Sequence, residues 1–530
     1  MSNSPHERRR HLVIIGGGLA GLAAAEASAR WQRSRVRQDL HWQITLLEAR
    51  RQAGGRAGSF FDSASGESVD YCQHAAMGCC RELLALMQRS ELLDQWIRYP
   101  ELSFHHPDFP PSRFAASRWL PAPLHLSGTI GRLNYLSGNQ KREVQKAMWR
   151  LIRTSTASLG DVTALQWLSE IGQSPATIAN FWDVILVSAL GEQTKLVSMA
   201  AARKVIVDGF AMSKGASDVF VPKVPLSQLI GNELADAVGK LGVTIRCGET
   251  AGEVRQLSHS QSSNYQPGST SNAVSEIKLG SGEVIQADAV ISAVPWYRVA
   301  SLLAHVSVRH AVGDLEAIDR MQGSSITGIH CWFDRPWMKQ PHAVMVGTLT
   351  QWIFRDPLQN DIRESTNEPA KGASSSKEYY CQVVISASHD VRGLPKQELM
   401  NQVLAEIHHE FPSSRNASLV RYRVVTDPRS VFSVRPGISS SRPSATTALP
   451  WLWLAGDWTD TGWPATMEGA VISGRSAAKG WMDSLAISST SDKLAESEEP
   501  HLELQMRDQS PFTPEVATKP GVLARCLIKK

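Results

Sequence analysis

At 530 residues the chain is too long for one compact core, and two or three domains are expected. Hydrophobic residues make up 42% and charged residues 20%, as in an ordinary soluble globular protein. The formal charge of +4, from 55 basic and 51 acidic residues, argues against a nucleic-acid partner while permitting a mild preference for an anionic membrane surface.

Residues 1–10, MSNSPHERRR, read as a flexible tail. The apolar run from Leu12 to Ala25 is shorter than the roughly 20 residues of a spanning helix and lacks a signal-peptide cleavage site. No later segment spans either, so the protein is expected to be cytoplasmic, soluble or peripheral on the inner face of the membrane. Within that run, HLVII reads as a strand, GGGLAG as a turn and LAAAEASAR as a helix. A second strand reads QITLLEA, from Gln43 to Ala49. From 81 to 210 the apolar spacing is helical, interrupted by the proline-rich, irregular PELSFHHPDFPPSRF. Strand patterns return in VTIRCGETAGEVRQL and EVIQADAVISAVP, with a polar hairpin insertion between them. QWIF and YYCQVVISAS read as neighbouring antiparallel strands flanking a second insertion. The segment 485–530 lacks an apolar period and reads as disordered.

The expected fold is α/β plus α+β. A discontinuous Rossmann-type domain takes residues 11–80, 215–297 and 450–484. An inserted substrate domain of mixed antiparallel sheet and helices takes 81–214 and 298–449.

Gly16, Gly18 and Gly21 form G-x-G-x-x-G between an apolar strand and a small-residue helix, the context that gives the motif its meaning. Gly16 allows the tight turn, Gly18 lets the backbone approach a pyrophosphate, and Gly21 lets helix and strand pack closely. The amides of Leu19 and Ala20 lie where a helix N-terminus faces phosphate. Glu48, closing the second strand before Ala49, is placed to accept ribose hydroxyls, although a long polar connection precedes it. Arg56 follows Gly54 and Gly55, a second glycine-arginine element that NAD dehydrogenases do not usually carry, so the dinucleotide is read as FAD. The seven cysteines form no C-x-x-C pair, so no metal is expected, and an odd count fits a reducing compartment. The vicinal Cys79 and Cys80 read as buried thiols.

GGGLAGLAAA, LLEARRQAGGRAGS and LAGDWTDTGWPATMEGAVISGRSAA resemble the amine oxidase and phytoene desaturase superfamily of flavoproteins. VDYCQHAAMGCCRELLALM, VIVDGFAMSKGASDVFVPKVPLSQL and GDWTDTGWPATMEGAV resemble, more narrowly, its hydroxysqualene dehydroxylase branch, over about residues 11–484. The resemblance implies an FAD domain of glutathione-reductase type, with non-covalent FAD, under a substrate domain. It implies reduction of hydroxysqualene to squalene with loss of water, feeding hopanoid or sterol synthesis. It also implies a hydrophobic isoprenoid substrate, contact with the upstream synthase and an external electron donor. Gly456, Asp457 and the backbone amide of Met467 are implied to meet the flavin side of the cofactor, and Val254 to offer backbone groups to adenine. Glu468 is left as a solvated or a capping acid. Gln73 and His74 are implied near the flavin ring, where His74 is a candidate to protonate the leaving hydroxyl. Trp149, Trp167, Phe181, Trp182, Ile185, Leu186, Trp332, Trp352 and Phe354 are candidates to line a hydrocarbon tunnel. Arg81, Arg89, Arg98 and Arg113 are candidates to meet a membrane. The alternatives are a carotenoid-type desaturase, a flavin amine oxidase, and a non-catalytic flavin-binding lipid carrier.

Overall fold

The computed structural model describes residues 10–34, 42–64, 66–257, 274–359, 378–490 and 522–529. The tail before Arg10, both polar insertions and most of the connection before Glu48 lie outside the described residues.

The N-terminal strand His11–Ile15 is buried from Leu12 onward, as a central parallel strand must be. It pairs in parallel with Gln43–Glu48 on one side and Ala289–Ser292 on the other. Thr244–Cys247 and Leu452–Leu454 complete a five-stranded parallel sheet. Its strands come from both ends and the middle of the chain, because the sheet is assembled around long insertions.

Leu19–Ser34 follows the first strand as an alanine-rich helix. The helix Met467–Thr490 crosses it so closely that a Cβ on Gly474 would lie 2.1 Å from the Ala20 carbonyl oxygen. Only a glycine permits backbone contact of that kind. This helix runs six residues past the expected end of the cofactor domain at 484. A further helix, Val522–Leu527, lies in the segment read as disordered. It is ordered because Ala524 and Ile528 pack into the main core, and the Lys529 amide donates to the Ile152 carbonyl.

Over the sheet's carboxyl ends lies a seven-stranded sheet in the order 419–432, 323–333, 379–386, 352–355, 342–345, 101–106, 109–115. Strands 352–355 and 379–386 pair antiparallel, as expected from the sequence. The proline-rich stretch read as irregular is instead the hairpin Glu101–His106 and Phe109–Ala115. Prolines 110 and 111 are tolerated there because this hairpin is the edge of its sheet. The helix Arg81–Arg89, expected with the substrate domain, buries Leu83, Leu84, Leu86 and Met87 in the core beside the parallel sheet. Its amphipathic face decides where it packs, and that face meets the cofactor side.

Candidate active site

One cavity of about 1070 Å³ runs from the carboxyl ends of the parallel strands to the underside of the seven-stranded sheet. In open α/β sheets, strand ends of this kind hold ligands.

Its first half is built from backbone. Gly16 takes φ +110°, and Gly21 approaches the Gly16 carbonyl so closely that an added Cβ would stand 1.8 Å from its oxygen. Gly21 therefore packs behind the turn rather than lining the cavity, as its place in the motif requires. The second glycine turn lies against the first, with the Gly54 amide donating to the Gly17 carbonyl at 2.9 Å. Gly18, Leu19, Ala20, Gly55 and Arg56 line the crevice between them. Glu48 is buried and accepts from the Gly17 amide at 2.7 Å and the Arg50 amide at 2.8 Å. One lone pair on each oxygen stays available for a sugar hydroxyl. Glu48 and Ala49 both line the cavity.

Arg56 donates to the Ser430 carbonyl at 3.0 Å and pairs with Asp457. Burial works against the Arg56 charge, and the attraction of Asp457 more than offsets it, so its pKa stands above the ordinary value. Gly456, at φ +141°, brings the chain past this pair. Met467 opens the last long helix with its first turn on the cavity wall, placing positive helix-dipole potential there.

Glu468 does not face the cavity. It is buried and accepts from the amides of Glu82 and Leu83 at 3.0 and 2.9 Å, capping the helix Arg81–Arg89 from a distant part of the chain. Burial pushes its carboxyl up to about 7, against the opposing pull of those amides.

Val254 also departs from expectation. It pairs with Ile277 and is fully buried in the core, while Glu249, Thr250, Ala251 and Gly252 line the cavity. The alternation of the strand turns the Val254 side chain into the core, and the cavity wall here is made by the four residues before the middle of the strand.

Cys72, Gln73 and His74 line the opposite end. The His74 Nδ1 meets the Cys72 carbonyl at 2.8 Å, so that nitrogen carries the proton. Burial lowers the His74 pKa, with Asp70 pulling the other way. A neutral ring held in this tautomer presents Nε2 as an acceptor. Burial pushes the Cys72 thiol up to about 12, so it is not a thiolate nucleophile. Around them stand Ala189, Leu190, Ile326, Val384 and Val431, with Ser188 and Ser386. None of the tryptophans expected in a tunnel lines this cavity; Trp182, for example, is fully buried and donates to Gln173. Among the described lining residues, Tyr297 is the one Phe, Tyr or Trp. The carboxylates Glu48, Glu249 and Asp457 belong to the glycine-turn half.

Sequence reasoning missed Ala293, Val294 and Pro295, which follow a parallel strand as Gly16 follows the first, and Arg429 to Val431. The first group could have been found from its position after AVIS. The second arrives on a strand of the other sheet and has no local signal.

A parallel sheet with this double glycine turn, a buried acid at the second strand end and a late helix N-terminus defines a dinucleotide-binding flavoprotein. The sequence matches the flavin containing amine oxidoreductase family over residues 19–480, and the chain belongs to that family. It is an oxidoreductase and its cofactor is FAD. The chain is 25% identical to hydroxysqualene dehydroxylase of Zymomonas mobilis over 88% of its own length and 97% of that protein. It is 24% identical to 15-cis-phytoene desaturase of Narcissus pseudonarcissus, over 89% and 79%. Cyclohexylamine oxidase from Brevibacterium oxydans shares the fold, with TM-score 0.63 at 15% identity, covering 90% of this chain and 100% of that one. The residues described above fit FAD: glycines where its phosphates need backbone, Glu48 for a ribose, and Arg56 for anionic charge.

Proposed function

We propose that the protein reduces hydroxysqualene to squalene, with release of water, using reduced FAD. The observation that carries this reading is the composition of the cavity beyond Gln73 and His74. Its walls are mostly aliphatic, with the hydroxyls of Ser188 and Ser386 but no aromatic cage and no carboxylate among the described lining residues to hold an ammonium group. A long hydrocarbon with one hydroxyl suits such walls, since its binding comes from apolar area at about 25 cal/mol per Å². The likeness to hydroxysqualene dehydroxylase of Zymomonas mobilis supports the same reading.

The cofactor supplies a hydride equivalent, and one proton completes the loss of water. The chain's own residues bind and orient. Ala189, Leu190, Ile326 and Val384 exclude water from the allylic carbon. Neutral His74 accepts a hydrogen bond from the substrate hydroxyl through Nε2, and its protonated form donates the proton on which water departs. The lowered His74 pKa then sets the pH dependence. Turnover rises as pH falls through that value, which lies below 6.5. So apolar a substrate exchanges with a bilayer, where the upstream synthase delivers it.

The test is anaerobic incubation of the reduced enzyme with hydroxysqualene, followed by mass analysis of extracted lipid, across pH. Squalene formation that loses its acid limb in His74→Gln, at normal FAD content, supports the reading. No squalene from fully reduced enzyme overturns it. The phytoene desaturase relatives favour a second reading, in which electrons flow from a polyene to oxidised flavin. Formation of a coloured polyene from phytoene with an added acceptor would establish it instead.

A further inference from the structure

Eleven large apolar side chains stand exposed among the described residues, and five of them lie between residues 109 and 149: Phe109, Trp119, Leu120, Leu124 and Trp149. The stretch from Phe109 to Leu159 also carries eight Lys or Arg against one acid, Glu143, a net of +7 in a chain whose total is +4. Glu143 offsets little outside, since it is turned onto Ser174 and Thr177.

Two elements concentrate these features. In the loop after Phe109–Ala115, the Ser117 hydroxyl accepts from the amides of Trp119 and Leu120, both at 3.3 Å. Lys214 donates to the Arg118 carbonyl at 2.7 Å, and Ala122, His125 and Leu126 are buried beneath. Trp119 is 92% exposed on this anchored base. An indole held so far into water marks a contact surface. The second element is the helix Gly138–Ile152. Val144, Ala147 and Leu151 face inward, while Arg142, Lys146, Trp149 and the capping Arg153 recur at helical spacing on the outer stripe. The Arg153 guanidinium lies 5.7 Å from the Trp149 ring.

We propose that this loop and helix dock the protein on an anionic phospholipid surface, with Trp119 and Leu120 at headgroup level and the basic stripe over lipid phosphates. Charge decides against a second copy of the chain, because two faces with this excess of basic residues repel. Isolated apolar side chains raised on a cationic face suit an interface of headgroups and acyl chains. No described helix is long and apolar enough to cross a membrane. Of the four arginines expected to serve, three are committed elsewhere: Arg89 to Glu26, Arg98 to Asp218 and Arg113 to Glu101. The purpose of docking rests on the bilayer-resident substrate proposed above. Vesicle binding is read without turnover, so either reading can fail alone.

The experiment is co-sedimentation of the FAD-loaded full chain with phosphatidylcholine vesicles, with and without phosphatidylglycerol. Binding to the anionic vesicles is expected, weakening with salt. Arg142→Gln with Lys146→Gln and Arg153→Gln should lower partitioning by roughly a hundredfold. Trp119→Ser should lower it several-fold and lessen what survives high salt. Both variants should keep their flavin absorbance, which reports folding. Equal affinity for neutral vesicles, wild-type binding by both variants, or a dimer in light scattering that Trp119→Ser breaks would each overturn the proposal.

Discussion

The two halves of the cavity are made differently. The dinucleotide half is main chain: glycine turns, a helix N-terminus, and one carboxylate held by two amides. The substrate half is mostly side chain, drawn from residues 188–191, 326, 384, 386 and 431. A backbone site cannot accept even a methyl group where chains touch. A side-chain site accepts any side chain of suitable size and polarity. The first should therefore fail abruptly under substitution and the second by degrees.

The sharpest break should come at Gly21→Ala, whose Cβ would stand 1.8 Å from the Gly16 oxygen. The expected product is protein without bound flavin, or none that is soluble. Gly239→Ala, with nothing within 4 Å, is the matched control and should keep full flavin absorbance. A normal flavin ratio in Gly21→Ala would refute the close-packed account. Next, Glu48→Ala leaves the buried Gly17 amide without its acceptor, at about 1–3 kcal/mol, and takes away the charged acceptor that a ribose hydroxyl would meet. FAD affinity should fall by roughly two orders of magnitude or more by that principle, as titration of the apoprotein would measure.

Glu468 stands behind the dinucleotide half, and its raised pKa gives a prediction with a sign. Below 4.5 the carboxyl is protonated both folded and unfolded. As pH rises from there to about 7, the unfolded chain releases a proton that the folded protein keeps. Stability should fall across that window by up to about 3 kcal/mol, and stay level above it. Glu468→Gln should flatten this slope in denaturant melts, and an unaltered slope would remove Glu468 from the account. The smallest effect is expected on the other half. Ile326→Ala should leave FAD content unchanged and raise the KM for hydroxysqualene by about tenfold. A loss of flavin there would erase the contrast between the halves.

The same contrast explains what was legible in the sequence. Gly16, Gly18 and Glu48 declare themselves because a backbone site demands particular residues at fixed offsets. Gly456, Asp457 and Met467 were reached by resemblance. Val254 came by resemblance too, and the cavity-lining residues 249–252 gave no sign, because backbone groups on a strand carry no side-chain signature. The substrate wall was not legible at all. Large tryptophans drew attention, whereas Ala189, Leu190, Ile326 and Val384 are ordinary residues brought together only by the sheet. The edge hairpin at 101–115 was hidden by its prolines. The role of Glu468 could not be chosen until the helix that it caps was in place.

Strand 452–454 and helix 467–490 supply one edge of the sheet and one wall of the crevice that begins at residue 16. The nucleotide's berth thus stays open on one side until residues 452–490 have been synthesised. The nascent protein must shelter a half-finished cleft in the meantime, and any chain cut short before residue 450 has nowhere to seat its flavin.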